Sequence, residues 1–266
     1  MIDDLEFATD LAQQTGNLLQ KYFNPAGFHA TQKADHSVVT EADLAADRFI
    51  TNAIRRQYPE DNVISEESSH HQIDPQNPTW IIDPLDGTTN FSLGLSIWGV
   101  SIARLLEGSP DLGVLYFPMI NELYSTRRFS GAFLNDIPIA THTLDPDQAM
   151  AFFACCSRTF RRYEINVPYK PRIMGSSAYT FCMLARGSAL LGFDAAPKIW
   201  DLAAAWLLVE EAGGTIAAFE GSPPFPISAK VDYSETSYPT LAASTPDIFT
   251  FGQSKIHRKP KSASSV

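Results

Sequence analysis

Apolar positions at Leu5, Phe7, Ala8, Leu11, Ala12, Leu18, Leu19 and Phe23 recur largely at helical spacing, which predicts a first helix over residues 3–23. Asn24-Pro25-Ala26-Gly27 ends it. Residues 28–39 are polar and read as loop or extended chain. A second helix is expected from Thr40-Glu41-Ala42-Asp43, where Thr40 followed three residues later by an acid has the form of an N-cap. Its apolar face is Leu44, Ala45, Phe49, Ile50 and Ile54, and it should end near Tyr58-Pro59. Residues 62–65 predict a short strand that runs into Glu66-Glu67-Ser68. Thr79 to Ile82 predicts a buried strand leading into Asp83. Residues 96–106, 112–117, 122–127 and 131–134 are rich in β-formers and separated by turn residues, the pattern of an antiparallel meander.

The character changes at residues 141–150, and a boundary is expected there. It divides an N-terminal half, 1–145, from a C-terminal half, 146–253, with a flexible tail over 254–266. In the second half, residues 151–156 predict a buried strand, 158–172 a polar irregular stretch, 176–186 a helix, and 190–193 a strand ending at Asp194. Residues 200–212 form a helix that is apolar nearly all round, a sign of burial, closed by Gly213-Gly214. Strands are expected at 215–219 and 240–243. The last dozen residues are basic and polar, and read as a loose tail.

The chain has 266 residues, 44% of them hydrophobic, enough for one large domain or two closely packed halves. A net charge of −10 argues against a general nucleic-acid binder, because such a surface repels phosphates. The three cysteines, Cys155, Cys156 and Cys182, include no Cys-x-x-Cys, and neither a disulfide framework nor a zinc site is indicated. A reducing, cytoplasmic setting is the expectation. No apolar run reaches the ~18 residues a membrane span requires, and no membrane association is expected.

The stretch Trp80-Ile81-Ile82-Asp83-Pro84-Leu85-Asp86-Gly87-Thr88-Thr89-Asn90-Phe91 carries the most chemistry. A strand holds Asp83 rigidly, Pro84 stiffens the turn, and Gly87 allows close backbone approach. The Leu85 carbonyl can share a hard cation with the carboxylates. A helix starting near Thr88 would turn free N–H groups toward an anion. Further acids stand at predicted element ends: Asp43, Glu66-Glu67 and Asp201. Singly, each has a plain reading. Asp43 and Asp201 suit the first turn of a helix, and Glu67 an ordinary loop. Together they suit Mg²⁺ ions that assist in-line phosphoryl displacement. His70-His71 and the Arg158, Arg161, Arg162 cluster read more simply as solvated loop.

Trp80 to Phe91, with Val39-Thr40-Glu41-Ala42-Asp43, Ile64-Ser65-Glu66-Glu67-Ser68 and Trp200-Asp201 followed by Glu211-Ala212-Gly213-Gly214, resembles the signature set of the inositol monophosphatase family of Mg²⁺-dependent, Li⁺-sensitive phosphatases. The resemblance spans roughly residues 5–250. It implies an α+β fold, a layered αβαβα sandwich shared with fructose-1,6-bisphosphatase, and a homodimer. It implies two or three Mg²⁺ ions. Glu66, Asp83 and the Leu85 carbonyl would hold the first; Asp83, Asp86 and Asp201 the second; Glu66, with Asp43 through water, a third. Thr88, with Asp43 or Glu66, would activate the attacking water. Gly87, Thr88, Ser176, Asp194 and Asp201 would contact the substrate, a small phosphate ester. Lys33 resembles a lysine on a metal-binding loop, although that loop is one residue shorter here. The resemblance implies hydrolysis of a small polyol phosphate, with inositol monophosphate first; Asp194 departs from that pattern, standing where inositol-preferring members carry Glu. Histidinol-phosphatase, fructose-1,6-bisphosphatase and 3',5'-bisphosphate nucleotidase are the alternatives, and a silent binding protein with this fold is the option outside catalysis.

Overall fold

A computed structural model describes residues 3–26, 31–32, 38–39, 41–68, 73–74, 76–142 and 152–260. Lys33, Thr40, His70, His71, most of the expected boundary at 141–150 and residues 261–266 lie outside them. The first half runs α1 (Asp4–Tyr22), β1 (Thr31–Gln32), β2 (Val38–Val39), α2 (Glu41–Gln57), β3 (Asn62–Ser65), β4 (Thr79–Asp86), α3 (Thr88–Ser92), β5 (Gly99–Leu106), β6 (Ser109–Phe117), β7 (Glu122–Arg127), β8 (Ala132–Leu134) and β9 (Ile137–Ile139). The second runs β10 (Phe152–Cys155), α4 (Thr159–Arg162), β11 (Tyr163–Ile165), β12 (Lys170–Arg172), α5 (Ser177–Ala185), β13 (Leu191–Asp194), α6 (Ile199–Glu211), β14 (Thr215–Ala218), β15 (Thr240–Ala243), α7 (Pro246–Lys255) and β16 (Ile256–Arg258).

Strands β3 to β9 form one seven-stranded sheet in chain order, parallel between β3 and β4 and antiparallel thereafter. The second sheet has the order β12-β10-β13-β15-β14, with β12, β10 and β13 parallel. Alternation along the strands explains the layers. Trp80, Ile82, Val100, Ile102, Leu112 and Val114 pack against α1 and α2. Ile81, Ala103, Leu105, Leu115 and Phe117 pack the other way, on α5 and α6. The inner face of the second sheet, including Ala154 and Ala242, closes over the same helices, and Phe153, Leu191, Leu241 and Ala243 face out to α7 and Phe249. The result is a layered αβαβα sandwich. Small residues allow α6 to lie directly on the first sheet: a Cβ on Gly113 would stand 2.8 Å from the Ala204 Cα.

Two expectations change. Residues 158–172 are not irregular throughout, since they hold α4, β11 and β12. The basic end is not loose from residue 254: α7 runs to Lys255, and β16 pairs antiparallel with β11. Buried Ile256 and Tyr163 anchor this ladder. Strands of three residues with one apolar anchor each are too short to show a period.

A polar cluster ties α1 to the first sheet. Arg104 pairs with Asp4 at 2.7 Å and Asp61 at 2.9 Å, and Trp80 Nε1 donates to the same Asp61 oxygen at 2.9 Å. The Asp61 side chain is only 8% exposed. Removing the cation strands a largely desolvated carboxylate, so Arg104→Ala is expected to lower the unfolding free energy by about 3 kcal/mol in urea titration.

Candidate active site

β4 aims two acids at one place. Ile81 faces α5 and α6, so the period of two puts Asp83 on the same side, toward the start of α6. The pairing of β4 with β5 shifts register between Asp83 and Asp86, where Pro84 interrupts the ladder. The distortion brings Asp86 round beside Asp83. Asp201, in the first turn of α6, completes a group of three whose ligand oxygens all lie within 4.8 Å of one another. β3 runs parallel beside β4, and the Glu66 N–H donates to the Ile82 carbonyl at 3.3 Å, so Glu66 enters next to Asp83.

Each acid is held by donors from its own neighbourhood. Asp83 Oδ1 accepts the Leu85 N–H at 3.0 Å. Asp201 Oδ2 accepts the Lys198 N–H at 2.6 Å. Asp86 accepts the Ser177 N–H at 3.1 Å and the Ser176 hydroxyl. Ser176 also caps α5 by accepting the Tyr179 N–H at 3.0 Å. Asp194, 3% exposed, accepts the Ser177 hydroxyl at 2.5 Å and the Ala196 N–H at 3.0 Å. Thr88 Oγ lies 3.0 Å from both Asp43 Oδ1 and the Leu85 carbonyl, so its single proton serves one or the other. Gly87 before it has φ +90°, and a Cβ there would stand 3.0 Å from the Ile97 carbonyl.

The electrostatics are severe. Burial pushes the Asp83 carboxyl well above its ordinary range, and the charges of Glu66, Asp86 and Asp201 push it further. Asp201 is raised for the same reasons, chiefly burial. Asp86 is pushed up to about 6 by burial, against the Ser176 hydroxyl and the Ser177 N–H. Among the described residues no side-chain cation forms an ion pair with these three acids. Several buried carboxylates sharing one space, all hard oxygen donors, fit a divalent cation.

Some bonds that brace the site had no local signal in the sequence. Asn90 Nδ2 donates to the Ile97 and Met174 carbonyls, both at 2.7 Å, clamping α3 to the loop before α5. Gly175 packs on it with φ +79°, and a Cβ there would reach within 2.5 Å of Asn90 Oδ1. Asp47 Oδ1 accepts the Ser65 hydroxyl at 2.5 Å and steadies the end of β3. Glu67 is half-buried beside Ser65, its N–H directed to Ser65 Oγ at 3.4 Å.

The Escherichia coli (strain K12) protein named Nus factor SuhB is 36% identical over 228 residues, covering 82% of this chain and 85% of that one. A histidinol-phosphatase of Chlorobaculum parvum is 33% identical over 232 residues, covering 83% and 88%. An inositol monophosphatase of Mesembryanthemum crystallinum is 34% identical over 235 residues, covering 80% and 84%. Among solved structures, a Thermotoga maritima IMPase superposes with a TM-score of 0.77 at 26% identity, covering 95% of this chain and 98% of that one. The model of the inositol monophosphatase family matches residues 3–248. This chain therefore belongs to the inositol monophosphatase family of metal-dependent phosphoric monoester hydrolases.

Proposed function

We propose that the protein is a Mg²⁺-dependent phosphomonoesterase acting on a small polyol phosphate of the inositol monophosphate type. The observation that carries this reading is the set of three buried acids, Asp83, Asp86 and Asp201, lying within 4.8 Å of one another. Asp83, Asp86 and Asp201, with Glu66 and the Leu85 carbonyl, would hold the metal; two or three ions is the number the resemblance implies. Mg²⁺ held there offsets charge on the phosphoryl oxygens and makes a water more acidic.

The chain's own groups do the rest. With its proton directed to Asp43 Oδ1, the Thr88 oxygen offers a lone pair to the attacking water. The proton that water loses passes through Thr88 Oγ to Asp43. Gly87 and Thr88 open a helical turn whose first N–H groups lack intrahelical partners, and these donate to phosphate. Asp194 closes the polyol side of the site, fixed by Ser177 and Ala196. Buried groups that hydrogen-bond substrate hydroxyls discriminate strongly, which is why the polyol is expected to matter more than the leaving oxygen.

Ser176 takes a different role from the substrate contact first expected of it. Its hydroxyl is spent on Asp86 and on the α5 cap, so it positions a metal-holding acid. Ser176→Ala is expected to raise the Mg²⁺ concentration for half-maximal activity by about 10- to 100-fold and to leave the ranking of substrates unchanged, as read from Mg²⁺ titrations with two substrates. A changed ranking at saturating Mg²⁺ would return Ser176 to the substrate.

The proposal is tested by phosphate release from inositol 1-phosphate, histidinol phosphate, fructose 1,6-bisphosphate and adenosine 3',5'-bisphosphate. Turnover of a polyol phosphate is expected, and no release from any of the four would contradict it.

A further inference from the structure

The turn Ala195-Ala196-Pro197-Lys198 joins the end of β13 to the start of α6, and it serves two acids of the site at once. The Ala196 N–H donates to Asp194 Oδ1 at 3.0 Å, and the Lys198 N–H donates to Asp201 Oδ2 at 2.6 Å. Pro197 is buried and stiffens the backbone between these two donors. A shift of this turn therefore moves Asp194, on the polyol side, and Asp201, on the metal side, together.

A long surface loop is fastened to that turn. The chain between β14 and β15 runs from residue 219 to 239. Its later part, 228–238, is tied to itself. The Tyr233 hydroxyl accepts the Ser228 N–H at 2.6 Å and donates to the Ser228 carbonyl at 3.2 Å. Asp232 Oδ1 accepts the Ser234 N–H at 3.0 Å, and Thr236 Oγ donates to the Asp232 carbonyl at 2.6 Å. Tyr233 and Tyr238 are buried in the core that includes Trp200 and Trp206, whereas residues 228–232 are exposed. Surface loops packed by their own side chains frequently carry function.

Loop and turn meet at adjacent residues. The Tyr238 N–H donates to the Pro197 carbonyl at 2.9 Å, and Lys198 Nζ donates to the Ser234 carbonyl. The second bond has a charged donor, which makes it about twice as strong as a neutral one. Lys198 stands between two acids in the chain, yet among the described residues its ammonium pairs with neither and is spent on the loop. One residue thus joins the two: its backbone N–H holds Asp201, and its side chain holds the loop.

We propose that Lys198 is a positioning residue for substrate selection: it latches the 228–238 loop onto the 195–198 turn and so fixes Asp194 relative to Asp201. The distance between those acids sets how far the polyol hydroxyls stand from the phosphorus under attack. A latched turn holds that spacing to one value and favours the polyol that matches it. A released turn lets Asp194 drift, and a displacement of an ångström at a substrate contact is costly. This rests on the phosphatase reading above and assigns its specificity to a contact outside the acids themselves.

The test measures kcat and KM at saturating Mg²⁺ for inositol 1-phosphate, histidinol phosphate and p-nitrophenyl phosphate, the last having no polyol for Asp194 to hold. In Lys198→Met, KM for the better of the first two is expected to rise about tenfold, with a smaller change in kcat and little change for p-nitrophenyl phosphate. Lys198→Arg keeps a cationic donor and is expected to stay close to the unsubstituted KM. The latch is read separately by the rate of trypsin cleavage after exposed Lys230, which is expected to rise about tenfold in Lys198→Met under native conditions. An unchanged KM in Lys198→Met, an equal rise for all three esters, Lys198→Arg as impaired as Lys198→Met, or an unchanged cleavage rate overturns the role and leaves the phosphatase intact. Silence of the unsubstituted protein on all three esters overturns both.

Discussion

Asp201→Asn and Asp86→Asn are each expected to lower kcat for phosphate release by at least about 100-fold while the protein stays folded. The structure separates these two effects. Asp201 Oδ2 accepts one backbone N–H, from Lys198, and an asparagine carbonyl oxygen can accept the same bond. Asp86 accepts a backbone N–H from Ser177 and a hydroxyl from Ser176, and a serine hydroxyl can rotate to accept from an amide. Neither change opens a cavity, since Asp and Asn are nearly isosteric. Each removes one negative charge from a buried group whose members raise one another's proton affinity. In chelator, both variants are therefore expected to unfold at or above the temperature of the unsubstituted protein. The measurements are kcat at saturating Mg²⁺ and Tm in chelator. A variant with near-normal turnover, or one that loses activity only because it unfolds, would contradict the assignment.

Without metal, the protein is expected to lose stability as pH rises, over the range in which many proteins gain it. Asp86 has an ordinary carboxyl pKa of 3.8 and is pushed up to about 6 in the fold. An acid raised on folding holds its proton more tightly in the native state. Its contribution is fully present below pH 3.8 and is lost as pH climbs through about 6. A shift of about two units corresponds to roughly 3 kcal/mol for this group. Asp83 and Asp201 are raised further and extend the loss to higher pH. Urea unfolding in chelator from pH 4 to 7 should show the difference between the unsubstituted protein and Asp86→Asn moving in favour of the variant as pH rises. Mg²⁺ should stabilise the unsubstituted protein more at pH 7 than at pH 5, because at pH 5 it must first displace protons. A pH-independent difference between the two proteins would mean that Asp86 is not in the environment described.

The parts legible in the sequence were those with a local pattern. Trp80 to Ile82 alternates between two packed layers, and Asp83, Asp86, Gly87 and Thr88 follow at once, so strand, acids and turn could be read as one unit. The apolar run from Trp200 marked α6, with Asp201 in its first turn. What stayed hidden joins distant segments. Asn90 and Met174 are separated by 84 residues, and Ser176 and Asp86 by 90, and no spacing rule connects them. The resemblance implies a substrate contact for Ser176, and the bond from its hydroxyl to Asp86 has no sign in the sequence. β11 and β16 were missed because each buries a single strong anchor, Tyr163 or Ile256, among polar neighbours.

The central claim is that a divalent cation on the Asp83, Asp86 and Asp201 group makes this chain a phosphatase. The direct measurement is phosphate release from inositol 1-phosphate and fructose 1,6-bisphosphate by the purified protein with Mg²⁺, after chelation, and after Mg²⁺ is restored. Release from at least one substrate with Mg²⁺, loss on chelation and recovery on restoring the ion is the predicted result. Release that continues unchanged after chelation, or none from either substrate with Mg²⁺ present, would contradict it.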